Sequence, residues 1–486
     1  MSSRHPLVCL ACALSLALGL LAAAPAAQGA EDANDQETQE RQNGHLPDEV
    51  DARQTYMPVV PDRTFDEIYE EDTAEKEEVM EGQRQLLEER YDLSDDPSDV
   101  WMSGERRRVQ QGVRVKLPEG VTWEELAEMS PEEIKENDLF PAGFRPLPHV
   151  KHAVGGQVFP QDQIDAIAEA EGRDLERFDV EFDLPDHLLP EFPPPMFLQT
   201  RPDLGDVSQG QVLTIKNVHE LLEGRLTPVQ MEGMRLLLTP FPQQQFNFTE
   251  DRKVLEPSFG VTCFDCHVNG HTNAAFHLNP DTRPQSLRHR LDTPSLRGVF
   301  NQHIHGSKRA LRSLEDFTEF EQRIAYFDGD HVTAAKKGMN VLERGSQVAA
   351  MAQAQNILAF PPAPKLNRLG RLDHSKATEQ EIKGEELFFG KAQCGVCHPA
   401  PNYTDNLMHD LELEEFFEPK MVRDHFDHPF GPMKSLTVRG IKDSPPYMHD
   451  GRLLTLDDTV EFFNLVFQLN LDQEEKDALV AFMLCL

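Results

Sequence analysis

The sequence is poor in positive charge and, after its first thirty residues, poor in long apolar runs. Its 486 residues include 47 lysines and arginines against 84 aspartates and glutamates, for a formal net charge of −37. Such a chain would repel nucleic-acid phosphates, which argues against a nucleic-acid partner and favours a basic or neutral one. No stretch after residue 30 approaches the ~18 to 20 apolar residues of a membrane span. We therefore expect no span in the mature chain.

The first thirty residues have the pattern of a secretory signal peptide. Arg4 and His5 precede an apolar run from Leu7 to Leu21, and small residues dominate positions 22–30. This order of basic, apolar and small residues predicts cleavage near Gly29 or Ala30 and export of the remainder.

Cysteine is also scarce, and its placement is informative. Of seven cysteines, Cys9 and Cys12 lie in the signal segment and Cys485 is next to last. The other four form two Cys-x-x-Cys-His pentapeptides, at 263–267 and 394–398. This spacing is typical of c-type haem attachment, in which both thiols form thioethers and the histidine binds the iron. Paired disulfides or a shared zinc site are the alternatives, but a disulfide leaves the histidines unexplained and zinc pairs usually lie closer together.

The pentapeptides belong to an internal repeat. Thr227 and Thr378 each open a predicted helix with a capping box, and a glycine follows each threonine by six positions. Arginine-glycine turns follow both pentapeptides, at 295–299 and 437–441, and Ser313 and Thr455 then cap further helices. Predicted terminal helices at about 346–358 and 472–486 close the two units. The boundaries are a first domain at 215–364 and a second at 365–486.

Residues 31–214 form an acidic, proline-rich extension of unknown role, without a catalytic motif. We expect a flexible leader to about residue 62, a charged helix over 64–91, short helices within 122–137, and extended chain over 182–202. The extension is thus predicted to have mixed or irregular structure and to cover the following domains, contact a partner or act as a tether.

The paired motifs resemble those of the bacterial di-haem cytochrome c peroxidase and MauG family. The resemblance covers about residues 215–486 and also rests on Thr293-Pro-Ser-Leu-Arg-Gly298 and Pro446-Tyr-Met-His-Asp-Gly451. It implies a mainly α fold of two facing cytochrome c-like domains, each with a covalently bound c-type haem. It further implies that peroxide is reduced at the first haem and that electrons enter at the second from a small periplasmic donor, a cytochrome c or a cupredoxin. A homodimer is a further expectation.

Site residues carry over from the family position by position. The resemblance implies that Cys263, Cys266, Cys394 and Cys397 form thioethers and that His267 and His398 are the proximal ligands. Family members also hold calcium between the domains, and the matching positions here are Asp292, Ser444 and Pro446. Oxygen donors suit calcium, although Asp292 is equally well interpreted as an acidic turn residue.

Three positions depart from the family pattern. Phe463 stands where the second haem's distal methionine or tyrosine is expected, Ser307 replaces the tryptophan between the haems, and Phe317 replaces a distal glutamine. Phenylalanine cannot bind iron, so either another side chain does so or the second haem is five-coordinate. The nearby candidate ligands are His409, His428, Met433 and Met448.

The acid–base groups of the first site stay open. His289 is preferred over His271 and His277 as the displaceable distal histidine, because it lies nearest the arginine-glycine turn. Glu319 and Glu321, with Asp328 and Asp330, are the candidates for the family's distal glutamate. His303 and His305 are further groups that could move protons during O–O cleavage.

Three functions follow from this sequence. The leading hypothesis is a periplasmic di-haem oxidoreductase that reduces peroxide. The three departures favour an electron-transfer protein without a substrate of its own. A MauG-like enzyme that oxidises a partner protein, with the extension as docking arm, is the third.

Overall fold

A computed structural model of the chain describes residues 65–93, 113–141, 144, 159–173, 175, 188–243, 258–278, 290–307, 310–321, 341–416, 421–422, 425–426 and 431–486. These residues all fall within one compact unit, residues 56–486. The predicted signal peptide, the acidic leader, His289 and His428 lie outside the described residues.

The described residues are mainly helical, as the repeat predicts. The helices are α1 (Phe65–Arg90), α2 (Trp123–Glu128), α3 (Pro131–Glu136), α4 (Gln161–Glu171), α5 (Val218–Leu222), α6 (Pro228–Leu237), α7 (Cys263–Cys266), α8 (Leu314–Glu321), α9 (Val341–Gln355), α10 (Glu379–Phe389), α11 (Leu456–Val466) and α12 (Gln473–Met483). The predicted capping boxes at Thr122, Thr227, Thr378 and Asp472 are all formed. The predicted charged helix over 64–91 is α1, and the one over 346–358 is the later part of α9.

Short antiparallel strand pairs connect the helices. The strands are β1 (Phe241–Gln243), β2 (Ser258–Val261), β3 (Phe276–Leu278), β4 (Arg290–Asp292), β5 (Met408–His409), β6 (Met421–Val422), β7 (His425–Phe426) and β8 (Met433–Lys434). β1 pairs with β2, β3 with β4, β5 with β8 and β6 with β7. In the β5–β8 pair, His409 lies opposite Met433.

The glycine found six positions after the capping threonine in each repeat copy lies at a close contact between two helices. Gly233 of α6 lies against the backbone of α9 at Ala350, and Gly384 of α10 lies against the backbone of α12 at Ala478. A methyl group at either glycine would overlap the carbonyl oxygen of the facing alanine. Glycine therefore allows the first and last helices of each repeat copy to cross at close range.

The arginine-glycine turns dock on the ends of the same terminal helices. The amide of Gly298 donates to the carbonyl of Leu358 at 2.9 Å, and the amide of Gly440 donates to that of Leu486 at 3.0 Å. Both glycines have φ near +70°, at +77° and +71°, a region that other L-residues rarely adopt. The two copies thus share one local design.

The extension contributes to the cores. Leu87, Tyr91, Val113, Trp123 and Phe144 are buried in one cluster with side chains of α10, α11 and α12. The ring centroids of Phe144 and Phe462 lie 5.1 Å apart at 81°, an edge-to-face contact. A second cluster joins residues 196–213 of the extension to α5, α6 and α9.

Buried polar contacts also hold the extension to the C-terminal helices. Arg114 donates to Glu461 at 2.8 Å and to Asp457 at 3.0 Å. The amide of Val115 donates to Asp458 at 2.9 Å, and Lys476 of α12 pairs with Glu124 of α2 at 3.0 Å. Segments with no motif of their own are therefore bound to α11.

None of the described helices combines the length and the apolar character needed to cross a membrane.

Candidate functional site

The second pentapeptide forms a short turn directly after α10. Cys394–Val396 make one turn of 3₁₀ helix, and the amide of His398 donates to the carbonyl of Cys394 at 2.9 Å. The Nδ1 of His398 lies 3.0 Å from the carbonyl oxygen of Tyr403. Because a carbonyl only accepts, Nδ1 carries the proton and Nε2 is the nitrogen able to bind a metal. Burial lowers the pKa of His398, which favours the neutral ligand form.

The first pentapeptide is held in the same way by different residues. Cys263–Cys266 form α7, opened by a capping box between Thr262 and Asp265. The Nδ1 of His267 donates to the carbonyl of Pro294 at 2.9 Å. Burial lowers the pKa of His267 to about 4, so this imidazole is neutral at pH 7. Both histidines are therefore oriented by a backbone carbonyl, the usual arrangement of a metal-binding imidazole.

The pentapeptide cysteines are thiols rather than disulfides. This holds for Cys263 and Cys266, for Cys394 and Cys397, and for the buried Cys485. Burial raises the pKa of Cys394 to about 12, which keeps that thiol protonated at neutral pH. The disulfide alternative therefore finds no support in the structure.

A cavity of about 320 Å³ lies against the second pentapeptide. Cys394, Cys397 and His398 border it together, and its walls are mostly apolar. The apolar lining comes from the helices and loops of the second copy, at Leu411, Met433, Leu436, Val438, Val460, Phe463, Leu471, Leu479 and Met483. Two thiols, a carbonyl-oriented imidazole and an apolar pocket are what a covalently attached haem requires. The residues present thus fit this group.

Helix α11 forms a wall of the cavity without a strong iron ligand. Thr459, Val460, Phe463 and Phe467 border the cavity, and the rings of Phe463 and Phe467 stack at 5.6 Å. Phe463, which replaces the distal ligand expected from the family pattern, therefore borders the same cavity as His398.

The other candidate ligands are distributed around this cavity. His409, Met433 and Met448 all border it. The Nε2 of His409 lies 2.7 Å from Asp405, and these two side chains and Cys397 have ligand atoms within 4.8 Å of one another. His409 is thus paired with a carboxylate close to the Cys397 thiol.

Asp292 is a buried carboxylate at the junction of the two copies. Its amide donates to the carbonyl of His449 at 2.9 Å, and its Oδ1 has no hydrogen-bond partner among the described residues. Burial raises the pKa of Asp292 well above its usual range, and the charge of Asp450 adds to this effect. Ser444 and Pro446 border the same cavity. A carboxylate with one buried oxygen left without a hydrogen bond, beside further oxygen atoms, suits a hard cation such as calcium.

His271 and Arg297 link the copies. The two nitrogens of His271 lie 2.8 Å from Ser295 Oγ and 2.6 Å from the carbonyl oxygen of Asp443. Arg297 pairs with the Asp443 carboxylate at 3.4 Å, with both side chains buried. Since both ring nitrogens of His271 are engaged, this histidine serves the junction rather than acting as a displaceable ligand.

The position of the family tryptophan also lies at this junction. The carbonyl of Ser307 accepts from the amide of Lys434 at 2.9 Å, and both residues border the cavity. Asn406 accepts from the Lys434 ammonium at 3.0 Å and donates to the carbonyl of Asn301 at 3.2 Å. Hydrogen bonds therefore join the copies where the sequence lacks the aromatic ring.

Of the two histidines predicted from the sequence to move protons at the first site, His303 is exposed and His305 is not. His305 is buried, and its ring lies 6.4 Å from that of Phe317, the residue in the distal glutamine position. Burial, aided by Lys434, lowers the pKa of His305 to about 4. Glu319 and Glu321 lie on α8 with Phe317. The side chain of His277 on β3 and all of His289 lie outside the described residues.

Comparisons with known proteins give distant relatives. No family model matches the chain. The methylamine utilization protein MauG of Methylorubrum extorquens is 28% identical, over 28% of this chain and 42% of that protein. Cytochrome-c peroxidase IdrP2 of Denitromonas iodatirespirans is 28% identical, over 24% of this chain and 42% of that protein. The chain thus spans about two fifths of the length of these relatives.

Two solved structures are also similar. Hydrazine synthase of Kuenenia stuttgartiensis has a TM-score of 0.37 at 18% identity, covering 57% of this chain and 93% of that one. A MauG-like protein associated with microbial copper homeostasis has a TM-score of 0.36 at 16% identity, covering 63% of this chain and 94% of that one. The curated relatives confirm the predicted resemblance of this chain to the di-haem cytochrome c peroxidase and MauG family.

Proposed function

We propose that the chain is a periplasmic di-haem c-type oxidoreductase that reduces peroxide with electrons from a small redox protein. The observation that carries the proposal is the repeated geometry of the pentapeptides. In each, the histidine that follows the cysteines donates Nδ1–H to a backbone carbonyl, from His267 to Pro294 and from His398 to Tyr403. Neither a disulfide nor an ordinary core histidine explains why both histidines donate Nδ1–H to a backbone carbonyl and leave Nε2 available.

The binding residues have distinct roles in this proposal. Cys263, Cys266 and His267 would hold the first haem, and Cys394, Cys397 and His398 would hold the second. When bound, each haem would supply an iron that exchanges single electrons, and the first haem would supply the site at which peroxide is reduced. The chain's own contribution is to orient both imidazoles and to exclude water from the second pocket through an apolar lining.

Proton transfer at the first site is assigned to His305. Peroxide reduction needs a group that takes a proton from the bound substrate and returns it to the leaving oxygen. His305 is neutral at pH 7 because burial lowers its pKa, so its ring is able to accept a proton. It lies beside Phe317, which has no polar atom of its own.

Calcium at the junction completes the proposed site. The Oδ1 atom of Asp292 has no hydrogen-bond partner among the described residues and lies near the negative charge of Asp450, so a bound cation would stabilise both carboxylates. Ser444 and Pro446 would add oxygen donors from the second copy.

Electron transfer without catalysis is the second candidate function. Two phenylalanines favour this function. Phe463 borders the cavity where a distal iron ligand is expected, so the second site lacks that ligand. Phe317 takes the place of a distal glutamine, so the first site lacks that polar group. The docking-arm version of a MauG-like oxidase has less support, since Phe144 and Arg114 of the extension are packed into the chain's own interior.

The experiment uses the full chain expressed in a host that attaches c-type haem. Two haems per chain and steady-state peroxide reduction with a reduced cytochrome c or cupredoxin are the expected results. Two attached haems that leave peroxide unreacted in every oxidation state would favour the electron carrier. A chain without covalent haem would overturn the proposal.

A further inference from the structure

The two pentapeptides differ sharply in exposure. Asp265 and Val396 occupy the same position, directly before the second cysteine of each motif. Asp265 is 1% exposed and Val396 is 70% exposed. The second motif thus reaches solvent, whereas the first is covered by another part of the chain.

The cover comes from the extension, which lies outside the repeat. Arg173 follows α4 and donates from Nη1 to Asp265 Oδ2 at 2.6 Å and from Nη2 to Asp265 Oδ1 at 2.7 Å. Its Nε donates to Glu171 at 2.7 Å. A bidentate guanidinium–carboxylate pair fixes both distance and angle, which a single contact does not.

Further contacts hold the same motif from the same side. The side-chain amide of Gln163 on α4 donates to the backbone carbonyl of Asp265. Phe159, Ile164 and Ile167 form a small apolar cluster that includes Val268 and touches Cys266. Helix α4 and Arg173 therefore bind the first motif in three ways: at the backbone carbonyl of Asp265, at its carboxylate, and through apolar contacts with Val268 and Cys266.

Asp265 connects these contacts with the extension to His267. Its carboxylate also accepts the amide of Thr262 at 2.6 Å, which closes the capping box of α7. His267 ends α7, and its amide donates to the carbonyl of Cys263 at 2.9 Å. The direction of the His267 ring toward Pro294 thus depends on how α7 is seated.

We propose that Arg173 is a positioning residue for the first haem site: it seats α7 through Asp265 and thereby fixes the His267 ring against the carbonyl of Pro294. The inference rests on the proposed function, since it assigns His267 to the iron. It goes beyond that function by giving the extension a role in tuning one haem and not the other. The second motif, with exposed Val396, has no equivalent cover among the described residues.

The expected effect is on the electronic properties of the first haem. Loss of Arg173 leaves the Asp265 carboxylate buried without its main partner, so α7 shifts or the carboxylate turns away. A weaker Nδ1–H···O bond makes His267 a poorer electron donor to the iron, which raises the reduction potential. The potential of the second haem should stay unchanged.

The test compares Arg173→Gln, Arg173→Lys, Asp265→Asn and the Arg173→Gln/Asp265→Asn double variant in the haem-loaded full chain. Haem content is measured first, followed by the potential of each haem by spectroelectrochemistry and the ferric electron paramagnetic resonance spectrum. Arg201→Gln is the matched control, because Arg201 forms an exposed pair with Asp203 at 2.8 Å.

We expect Arg173→Gln to raise the first haem's potential and change its ferric signal, with partial recovery in Arg173→Lys and in the double variant. Unchanged signals of both haems, with only a lower melting temperature, would overturn the inference. Arg173→Gln could fail to load haem because it leaves a buried carboxylate without its partner. In that case the double variant, which has no such charge, is measured instead, and a changed or an unchanged signal of the first haem supports or overturns the inference. A wild-type chain without two haems would instead refute the proposed function itself.

Discussion

The backbone of Gly384 lies directly against the backbone of Ala478, and this contact joins the helix before the second pentapeptide to the last helix of the chain. Gly233 and Ala350 repeat the contact in the first copy. Each pentapeptide thus follows a helix whose position is set by a close crossing. A side chain at either glycine would separate the helices and move the site.

Gly384→Ala should therefore destabilise the protein, although alanine is the better helix former. Overpacking of a tight contact typically costs about 1 to 3 kcal/mol. The measurement is the free energy of unfolding in guanidinium chloride. Gly345→Ala is the control, since a methyl group there meets nothing within 4 Å and should be neutral or slightly stabilising. Equal effects of both substitutions would contradict the close-crossing explanation.

Local features of this fold were predictable from the sequence, and long-range ones were not. The capping boxes at Thr227 and Thr378 follow from residues three positions apart, so the sequence alone places these helix starts. The contact of Arg114 with Glu461 joins positions far apart in the chain, and no periodicity indicates such a partner. For the same reason the sequence leaves open whether the extension covers the domains, contacts a partner or acts as a tether. It predicts the helices α1, α2 and α3 of the extension but not α4.

The candidate site divides in the same way. The spacing of cysteine and histidine predicts which residues lie in each pentapeptide, but the carbonyl partners Pro294 and Tyr403 come from loops that only the fold brings close. The sequence offers His305 as a proton-transfer group only alongside His303 and gives no reason to prefer it. Its relevance comes from burial and from the neighbouring Phe317.

Phe144→Ala tests whether the extension belongs to the folded interior. Phe144 is fully buried against Phe462, and removal of a buried phenyl ring costs about 3 to 5 kcal/mol. Thermal unfolding of the haem-loaded chain should show a large decrease in melting temperature. Glu132→Ala, on an exposed position of α3, should leave it unchanged. A stable Phe144→Ala chain that has lost only a protein partner would restore the docking-arm hypothesis.

Asp292→Asn tests the proposed calcium site. The wild-type chain should bind one calcium ion by calorimetry, and the variant should lose most of this affinity because a carboxylate ligand becomes an amide. Asp316→Asn, on the exposed side of α8, is the control. Unchanged calcium binding by Asp292→Asn would exclude this site.

The calcium-free protein should also show a pH dependence that originates at Asp292. Its folded pKa lies above the usual value of about 3.9, so its contribution to stability is complete at low pH and is lost as the pH rises toward the folded pKa. Calcium binding should reverse this trend, because the metal requires the ionised carboxylate. Unfolding free energies measured from pH 4 to 8, with calcium and with a chelator, should show both slopes in the wild type and neither in Asp292→Asn.

Phe463→Met tests whether the second site is open on the side of α11. Phe463 borders the cavity beside His398, so a thioether at this position should provide a sixth ligand and convert the second haem to a low-spin form. Absorption and electron paramagnetic resonance spectra of the ferric and ferrous protein measure this change. Phe462→Met, at the neighbouring α11 position whose ring packs against Phe144 and does not border the cavity, should have no such effect. A wild-type second haem that is already low-spin and six-coordinate would instead point to His409, Met433 or Met448 as its ligand.

His305→Gln tests the proposed route for protons. A positioned acid–base group typically contributes a factor of about 10² to 10⁴ to the rate, so kcat/KM for peroxide should fall by this order. Since the pKa of His305 is lowered to about 4, wild-type kcat/KM should not vary through this group between pH 5 and 8, and it should fall near pH 4 as the ring gains a proton. His303→Gln, two positions away and exposed, is the matched control and should retain wild-type turnover. A full-rate His305→Gln enzyme would transfer the role to Glu319 or Glu321, the remaining described candidates on α8.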